Sequence, residues 1–252
     1  MMLQPSVGTA GIVRLNDVHQ RIQPSSFMGN AAQVEDRFAS AVKQIRTWKP
    51  GQHLIRAGDN VRSLYIVCSG AVKVYLTTED GTEQVLGYFL PGETLGLEAV
   101  KSRRHGYSAV VLETSSICEL SLKRLETLAT NLVELQDRLT ELYASAVARN
   151  YAALWILSKK GADQRLAGFL LDLSERYGQH GFSASEYYLC MSRRDIGDYL
   201  GLALGTVSRL LSEFEAKGLL DVKRRHIRLL HINGLRALTG DCPWQGPNHR
   251  SH

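Results

Sequence analysis

The stretch Ser192-Arg-Arg-Asp-Ile-Gly-Asp-Tyr-Leu-Gly-Leu-Ala-Leu-Gly-Thr-Val-Ser-Arg-Leu-Leu211 contains two short helical patterns separated by glycine. Gly197 is small enough to let a second helix approach the first, Gly201 supplies a sharp turn, and Val207 and Leu210 lock the second helix onto a core. These four residues stand at the spacing a helix-turn-helix requires. Gly218 follows in the position of a glycine that terminates the second helix. Val222-Lys-Arg-Arg-His-Ile-Arg-Leu-Leu230 then predicts a tight two-stranded hairpin carrying Lys223, Arg224, Arg225 and Arg228, which makes the unit a winged helix-turn-helix.

A basic wing beside a helix bearing Thr206, Ser208 and Arg209 suits double-stranded DNA. The wing and the first helix meet phosphates while the second helix reads the major groove. This assigns phosphate contact to Ser192, Arg193, Thr206, Lys223, Arg224 and Arg225, and base reading to Ser208 and Arg209. The forked donors of Arg209 match guanine O6 and N7. The plainer alternative for Arg209 is a surface ion pair with Glu213 one turn on.

Composition agrees with this placement. The chain has 252 residues, 44% hydrophobic and 22% charged, a length suited to two domains and a balance that excludes collagen-like, disordered or coiled-coil classes. Residues 1–158 carry 16 basic and 15 acidic side chains, whereas residues 159–252 carry 14 and 10, so the positive excess lies with the hairpin. No charge-free stretch exceeds 13 residues, short of the roughly 18–20 a membrane-spanning helix needs. The first residues lack the charged start and apolar middle of a signal peptide, so a cytoplasmic protein without a membrane partner is expected. Cys68, Cys118, Cys190 and Cys242 are scattered, with no C-x-x-C spacing, and read as reduced thiols. Arg193 and Arg194 stand near Cys190 and would lower its pKa. Cys190 reads as a plain buried thiol, with a redox thiol as the alternative that these arginines would favour.

Upstream, residues 1–45 read as an arm with one short helix over 32–44. From Thr47 to Leu122 short β-type runs alternate with glycine turns, Gly70, Gly81 and Gly92 being spaced by 11, which indicates a β-sandwich or barrel. Val72 to Leu76 alternates, and Glu79-Asp80-Gly81 turns it into a second strand ending at Pro91-Gly92. A period of 3.6 follows over 131–158, about 42 Å of helix at 1.5 Å per residue. Leu135, Leu139, Leu142, Ala146 and Ala153 lie on one face at spacing 4-3-4-7, which predicts a seam joining two subunits; a core helix is the alternative. Another helix is expected from Ala162 to Tyr177, with Leu166, Phe169, Leu170 and Leu173 inward.

A glycine-spaced β-domain, a long helix and a winged helix-turn-helix, in that order, resemble the CRP/FNR family of bacterial transcription regulators. The resemblance spans Thr47 to Leu238. It is greatest toward the FNR and FixK branches, through Ala57-Gly-Asp59, Ser63-Leu-Tyr65, Ser69-Gly70, Leu112-Glu-Thr-Ser-Ser-Ile-Cys-Glu119, Leu157-Ser-Lys-Lys160 and Arg194-Asp-Ile-Gly-Asp-Tyr-Leu-Gly-Leu202. It implies an α+β chain: an arm (1–45), a cyclic-nucleotide-binding-like β-roll (46–130), a dimerisation helix (131–158), and a winged helix-turn-helix with a C-terminal tail (159–252). It also implies a homodimer on an inverted-repeat operator and contact with RNA polymerase.

Three departures from the family pattern bear on mechanism. Cyclic-AMP binders hold the phosphate with a Gly-Glu-Leu turn and an Arg-Ser pair, whereas here Thr94 follows Gly92-Glu93 and the pair reads Tyr107-Ser108, leaving Arg103 or Arg104 as the nearest basic substitutes. FNR proper holds a four-iron four-sulfur cluster through three cysteines of the arm and one of the β-domain; Cys118 matches the latter, but residues 1–45 contain no cysteine. Cys118 therefore reads as a strand residue, or with Cys190 as a candidate redox thiol, and no metal or cofactor is expected. Finally, the family's recognition helix carries Glu three residues before the Ser-Arg pair, where its carboxylate accepts from cytosine N4. Here that base-reading position is Gly205, which implies an altered or relaxed base preference.

The function expected is a sequence-specific regulator, an activator, without cluster or cyclic AMP. The alternative is a sensor whose β-roll binds haem or another effector, with His53 and His105 as ligands in principle, or whose thiols respond to redox. No nucleophile triad, H-E-x-x-H, P-loop or paired-carboxylate pattern points to an enzyme.

Overall fold

A computed structural model of the chain describes residues 41–130, 133–159 and 161–240. The β-domain is two antiparallel four-stranded sheets. One has β1 (Val42–Trp48), β8 (Ser115–Ser121), β3 (Ser63–Ser69) and β6 (Thr94–Leu95) in that order; the other has β2 (His53–Ile55), β7 (Ser108–Val111), β4 (Val72–Thr77) and β5 (Glu83–Phe89). Period-2 alternation assigns the faces. Leu64, Ile66, Cys118 and Leu120 enter one apolar cluster, while Val67 and Ile117, one residue out of phase, meet Val72, Val74, Ala109 and Val111 between the sheets.

One expectation for this half is corrected and one element is added. The helix over 32–44 gives way at Val42 to strand β1, which pairs with β8 from Val42↔Leu120 to Trp48↔Ser115; residues 32–40 lie outside the described residues. A short helix not foreseen, α1 (Leu122–Ala129), follows β8 and is capped by the Ser121 hydroxyl accepting from Arg124 N.

The long helix is α2 (Val133–Leu157), and it is followed by α3 (Ala162–Gln179), β9 (Glu186–Tyr188), α4 (Arg193–Leu200), α5 (Leu204–Ala216), β10 (Leu220–Lys223), β11 (His226–Leu229) and α6 (Ile232–Thr239). Strand β9 adds a third member to the wing, giving the order β10-β11-β9, and α6 covers α3; neither was read from the sequence. Leu166, Phe169, Leu170, Leu173, Ile196, Val207, Leu210, Phe214, Ile227 and Leu235 form the second core.

The residues read as a seam on α2 are partly covered by the chain itself. Leu142 and Ala146 pack against the β-domain core and Ala153 against the second core, so these three face the chain itself. Leu139 is half-buried, and the side chain of Leu135 lies outside the described residues. A helix lodged between two domains needs apolar residues on more than one face. The exposed apolar face of α2 carries Val133, Tyr143, Val147, Tyr151, Leu154 and Leu157.

Candidate nucleic-acid interface

The helix-turn-helix is built from short-range constraints. Ser192 caps α4: its hydroxyl accepts from Asp195 N at 3.1 Å while Asp195 Oδ2 accepts from Ser192 N at 3.0 Å, a reciprocal capping box. Asp195 Oδ1 also lies 3.2 Å from Lys73 Nζ of β4. Burial opposes ionisation of Asp195, yet the hydrogen bonds from Ser192 and the Lys73 ammonium hold its carboxyl below the usual range. At Gly197 a Cβ would stand 2.5 Å from Leu202 O, so the α4–α5 crossing requires glycine there. Gly201 ends α4 with φ 64, the left-handed conformation its sequence position called for.

This geometry sets out one face. Arg193 at the start of α4 is exposed, as are Gly205 and Arg209 on α5; Thr206 and Ser208 are half-buried beside them, and Ser192 is half-buried in its cap. Lys223, Arg224 and Arg225 are all exposed at the two-residue turn of the wing. Arg224 sits at φ 60, a conformation a non-glycine side chain enters at a cost of roughly 1–2 kcal/mol. Val207 and Leu210 are buried, as the motif required. Arg209 Nη1 donates to Glu213 Oε1, the plainer alternative for this residue, which leaves its guanidinium on the exposed face. Leu204, in the first turn of α5, was not singled out in the sequence; at 49% exposure it places an apolar side chain beside Gly205. The helical period gave no signal for it, because residue 204 stands three before Val207 and seven before Leu211, on the face that those residues bury; its place as the first residue of α5 leaves it exposed.

The described thiols lie inside the protein. Cys190 is buried, its Sγ lies 3.0 Å from Glu113 Oε1 and 3.9 Å from Tyr177 OH, and burial followed by the Glu113 hydrogen bond pushes its pKa up to about 12. The lowering expected from Arg193 and Arg194 is therefore reversed. Cys118 is fully buried in β8, and desolvation raises it well above the ordinary thiol range.

Among the described residues, the side chains fit neither family cofactor. Tyr107, at the position of the phosphate-binding arginine, donates to Glu98 Oε2 at 2.9 Å and accepts from Gly96 N at 3.4 Å, so a phosphate there would meet a carboxylate instead of a guanidinium. Arg103 is engaged by Glu126 of α1 at 2.6 Å. A cluster requires four thiolates. Cys68 and Cys118 share one core, Cys190 sits in the other half, and all three are buried. Of the two histidines, His53 Nε2 is 2.8 Å from Tyr75 OH, while His105 is buried with Nδ1 3.5 Å from Glu98 Oε1 and without a hydrogen-bond partner. Among the described residues, no group of three His, Cys, Asp or Glu side chains is placed to hold a metal ion, and no helix is long and apolar enough to cross a membrane.

A two-sheet β-domain, a long helix and a winged helix-turn-helix with a basic exposed face define a DNA-binding transcription regulator. Residues 45–131 match the family described as "Cyclic nucleotide-binding domain", and residues 164–238 match "Crp-like helix-turn-helix domain". The "Fumarate and nitrate reduction regulatory protein" of Escherichia coli (strain K12) is 38% identical over 81% of this chain and 82% of its own length. "Transcriptional activator protein FnrA" of Stutzerimonas stutzeri is 40% identical over 81% and 84%. The structure of FixK2 from Bradyrhizobium japonicum superposes with a TM-score of 0.72 at 30% identity, covering 79% of this chain and 98% of that one. The chain belongs to the CRP/FNR family of transcription regulators.

Proposed function

We propose that the protein acts as a homodimer that reads an inverted-repeat, FNR-like operator in double-stranded DNA and activates transcription through contact with RNA polymerase, without an iron–sulfur cluster or cyclic AMP. The observation that carries this reading is the exposed face formed by Arg193, Gly205, Arg209 and the wing residues Lys223, Arg224 and Arg225. Ser208 and Arg209 read bases; Ser192, Arg193, Thr206 and the wing hold phosphates. Gly205 offers no acceptor for cytosine N4, so the step it faces is read less stringently, or read by the apolar Leu204 against a thymine methyl.

The exposed face of α2 supports dimerisation. Six of the twelve exposed large apolar side chains among the described residues belong to this one helix. Tyr143, Val147, Asn150, Leu154 and Leu157 follow a 4-3-4-3 spacing, the repeat of a two-helix seam, with Asn150 as its polar member. It differs from the seam through Leu142, Ala146 and Ala153, which are half-buried against the chain itself.

The test is selection of binding sites from random duplexes by the purified protein, with and without oxygen, alongside sedimentation. The reading expects a dimer, a symmetric two-half-site operator, and equal binding under both gases. Stoichiometric iron and sulfide in anaerobic protein, or absorbance above 350 nm, would instead support the sensor alternative.

A further inference from the structure

Glu93, in the loop between β5 and β6, is 4% exposed, and two helices and its own loop converge on its carboxylate. Arg176 of α3 grips it with two hydrogen bonds, Nε to Oε1 at 2.8 Å and Nη2 to Oε2 at 2.8 Å. The same guanidinium donates to Tyr88 O at 2.6 Å and to Asp172 Oδ2 at 2.9 Å. From α2, Arg149 brings Nη1 to 3.5 Å of Glu93 Oε1 while its guanidinium lies 5.0 Å from the Phe89 ring centre. Within the loop, Leu90 N donates to Oε2 at 2.9 Å. One carboxylate thus ties the β-domain, the long helix and the reader half together.

The surrounding contacts hold the same register. His180, just past α3, lies so close to the loop that a Cβ at Gly92 would stand 2.2 Å from its Nδ1. Gln84 Nε2 of β5 donates to Asp198 O of α4 at 3.3 Å, and Lys73 bridges to Asp195. Tyr88 sets its ring edge against Phe169 and Tyr199, and Ala71, Val85 and Leu90 join the reader's core. Apolar contacts alone tolerate sliding. A bidentate carboxylate–guanidinium pair does not, because both hydrogen bonds are lost together when the planes shift and a buried charge is left uncompensated.

We infer that Glu93, acting through Arg176 and Arg149, is a positioning residue that fixes the angle of the DNA reader against the long helix and so sets the half-site spacing the dimer accepts. The joint is closed by the chain's own side chains and requires no effector in this loop. The inference rests on the proposed dimer on a two-half-site operator.

The test compares the full-length protein with Glu93→Gln and Arg149→Gln on three duplexes: the selected operator, the same operator with two base pairs inserted between half-sites, and a single half-site. Wild type should favour the selected spacing. Glu93→Gln should bind the single half-site within about threefold of wild type while its preference between the two spacings falls by about tenfold. Glu93→Asp, which keeps the charge, should recover part of that preference. Arg149→Gln, which leaves the Arg176 pair in place, should move the preference the same way by less, and it decides the matter if Glu93→Gln does not fold. Unchanged spacing preference in the folded variants, or equal losses on half-site and full operator, would overturn the inference. A wild-type protein that is monomeric or indifferent to spacing would overturn the dimer reading instead.

Discussion

Arg209 and Glu213 pair with each other across one turn of α5, with Arg209 63% and Glu213 41% exposed. An exposed pair of this kind contributes about 0.3–0.5 kcal/mol, whereas a bidentate contact to guanine is worth about 1–3 kcal/mol of discrimination. DNA therefore wins the guanidinium easily, and until then the pair restricts its rotamers. Arg209→Ala should weaken operator binding by roughly ten- to a hundredfold while binding to unrelated duplex changes little. Glu213→Ala should change operator affinity less than threefold, by about the value of the exposed pair. Anisotropy titrations of both variants at fixed salt check this.

Beyond its chain neighbours and the backbone of its own helix, Gly205 has no atom within 4 Å of where a Cβ would stand, so a side chain has open space there. Gly205→Glu should stabilise α5 by roughly 0.5–1 kcal/mol through helix propensity, with a smaller gain from an anion in the first turn. It also supplies an acceptor for cytosine N4. Site selection should then show one half-site position sharpened by about 1–3 kcal/mol toward a cytosine-containing pair, and thermal unfolding should shift upward.

What was legible in the sequence was local. Gly197, Gly201, Val207 and Leu210 lie within 14 residues of one another, and each has a steric reason to stand where it does, so the helix-turn-helix could be read outright. The glycine turns at 70, 81 and 92 likewise announced the β-domain. Strand β1 was missed because its pairing with β8 spans about 75 residues and its own apolar content is slight. On α2, period alone shows that several faces are apolar but not which one meets the rest of the chain; Leu142 and Val147 are distinguished only by the packing of the β-domain. The Glu93–Arg176 pair joins residues 83 apart, and the reversal at Cys190 comes from burial and then from Glu113, 77 residues away. Charge neighbours in sequence, Arg193 and Arg194, gave the wrong sign there.

Cys190 should be a slow nucleophile in the folded protein. With its pKa near 12, the thiolate is about a ten-thousandth of the population at pH 8, against roughly a quarter for an ordinary thiol. Iodoacetamide labelling at pH 8, followed by peptide mass spectrometry, should be at least a hundredfold slower at Cys190 in native protein than in urea. Glu113→Gln should speed it, since the carboxylate is the second cause of the raised value after burial. Rapid native labelling would restore Cys190 as a redox thiol.

The seam proposed on α2 separates from the one first read by two substitutions. Val147→Glu places a charge on the exposed face and should yield monomers that retain the β-domain fold; operator affinity should fall by at least a hundredfold because one reader acts alone. Asn150→Leu should tighten the dimer, since a lone polar residue in a seam fixes pairing at a cost in stability. Sedimentation equilibrium measures both. A dimer undisturbed by Val147→Glu would return the interface to another face of the helix.

Acid should act on the joint at Glu93. Burial alone would raise this carboxyl, but the guanidiniums of Arg176 and then Arg149 outweigh it and hold the group well below its ordinary value of 4.5. The unfolded chain therefore takes up the proton more readily than the folded one, and the contribution of ionised Glu93 is complete above about pH 4.5 and is lost as pH falls from there through the folded value. His180, beside the same loop, is shifted downward, chiefly by burial, so it stays neutral in the fold and adds its own loss as pH drops below its ordinary 6.5. The two can be told apart. Urea unfolding of wild type and Glu93→Gln should differ by about 3–5 kcal/mol at pH 7, where the variant leaves Arg176 without its main partner. The gap should narrow by on the order of 2 kcal/mol between pH 5 and 3. His180→Gln should instead flatten the dependence between pH 7 and 5 and leave the lower window unchanged. A gap between wild type and Glu93→Gln that stays constant down to pH 3 would mean that the carboxylate contributes by shape alone.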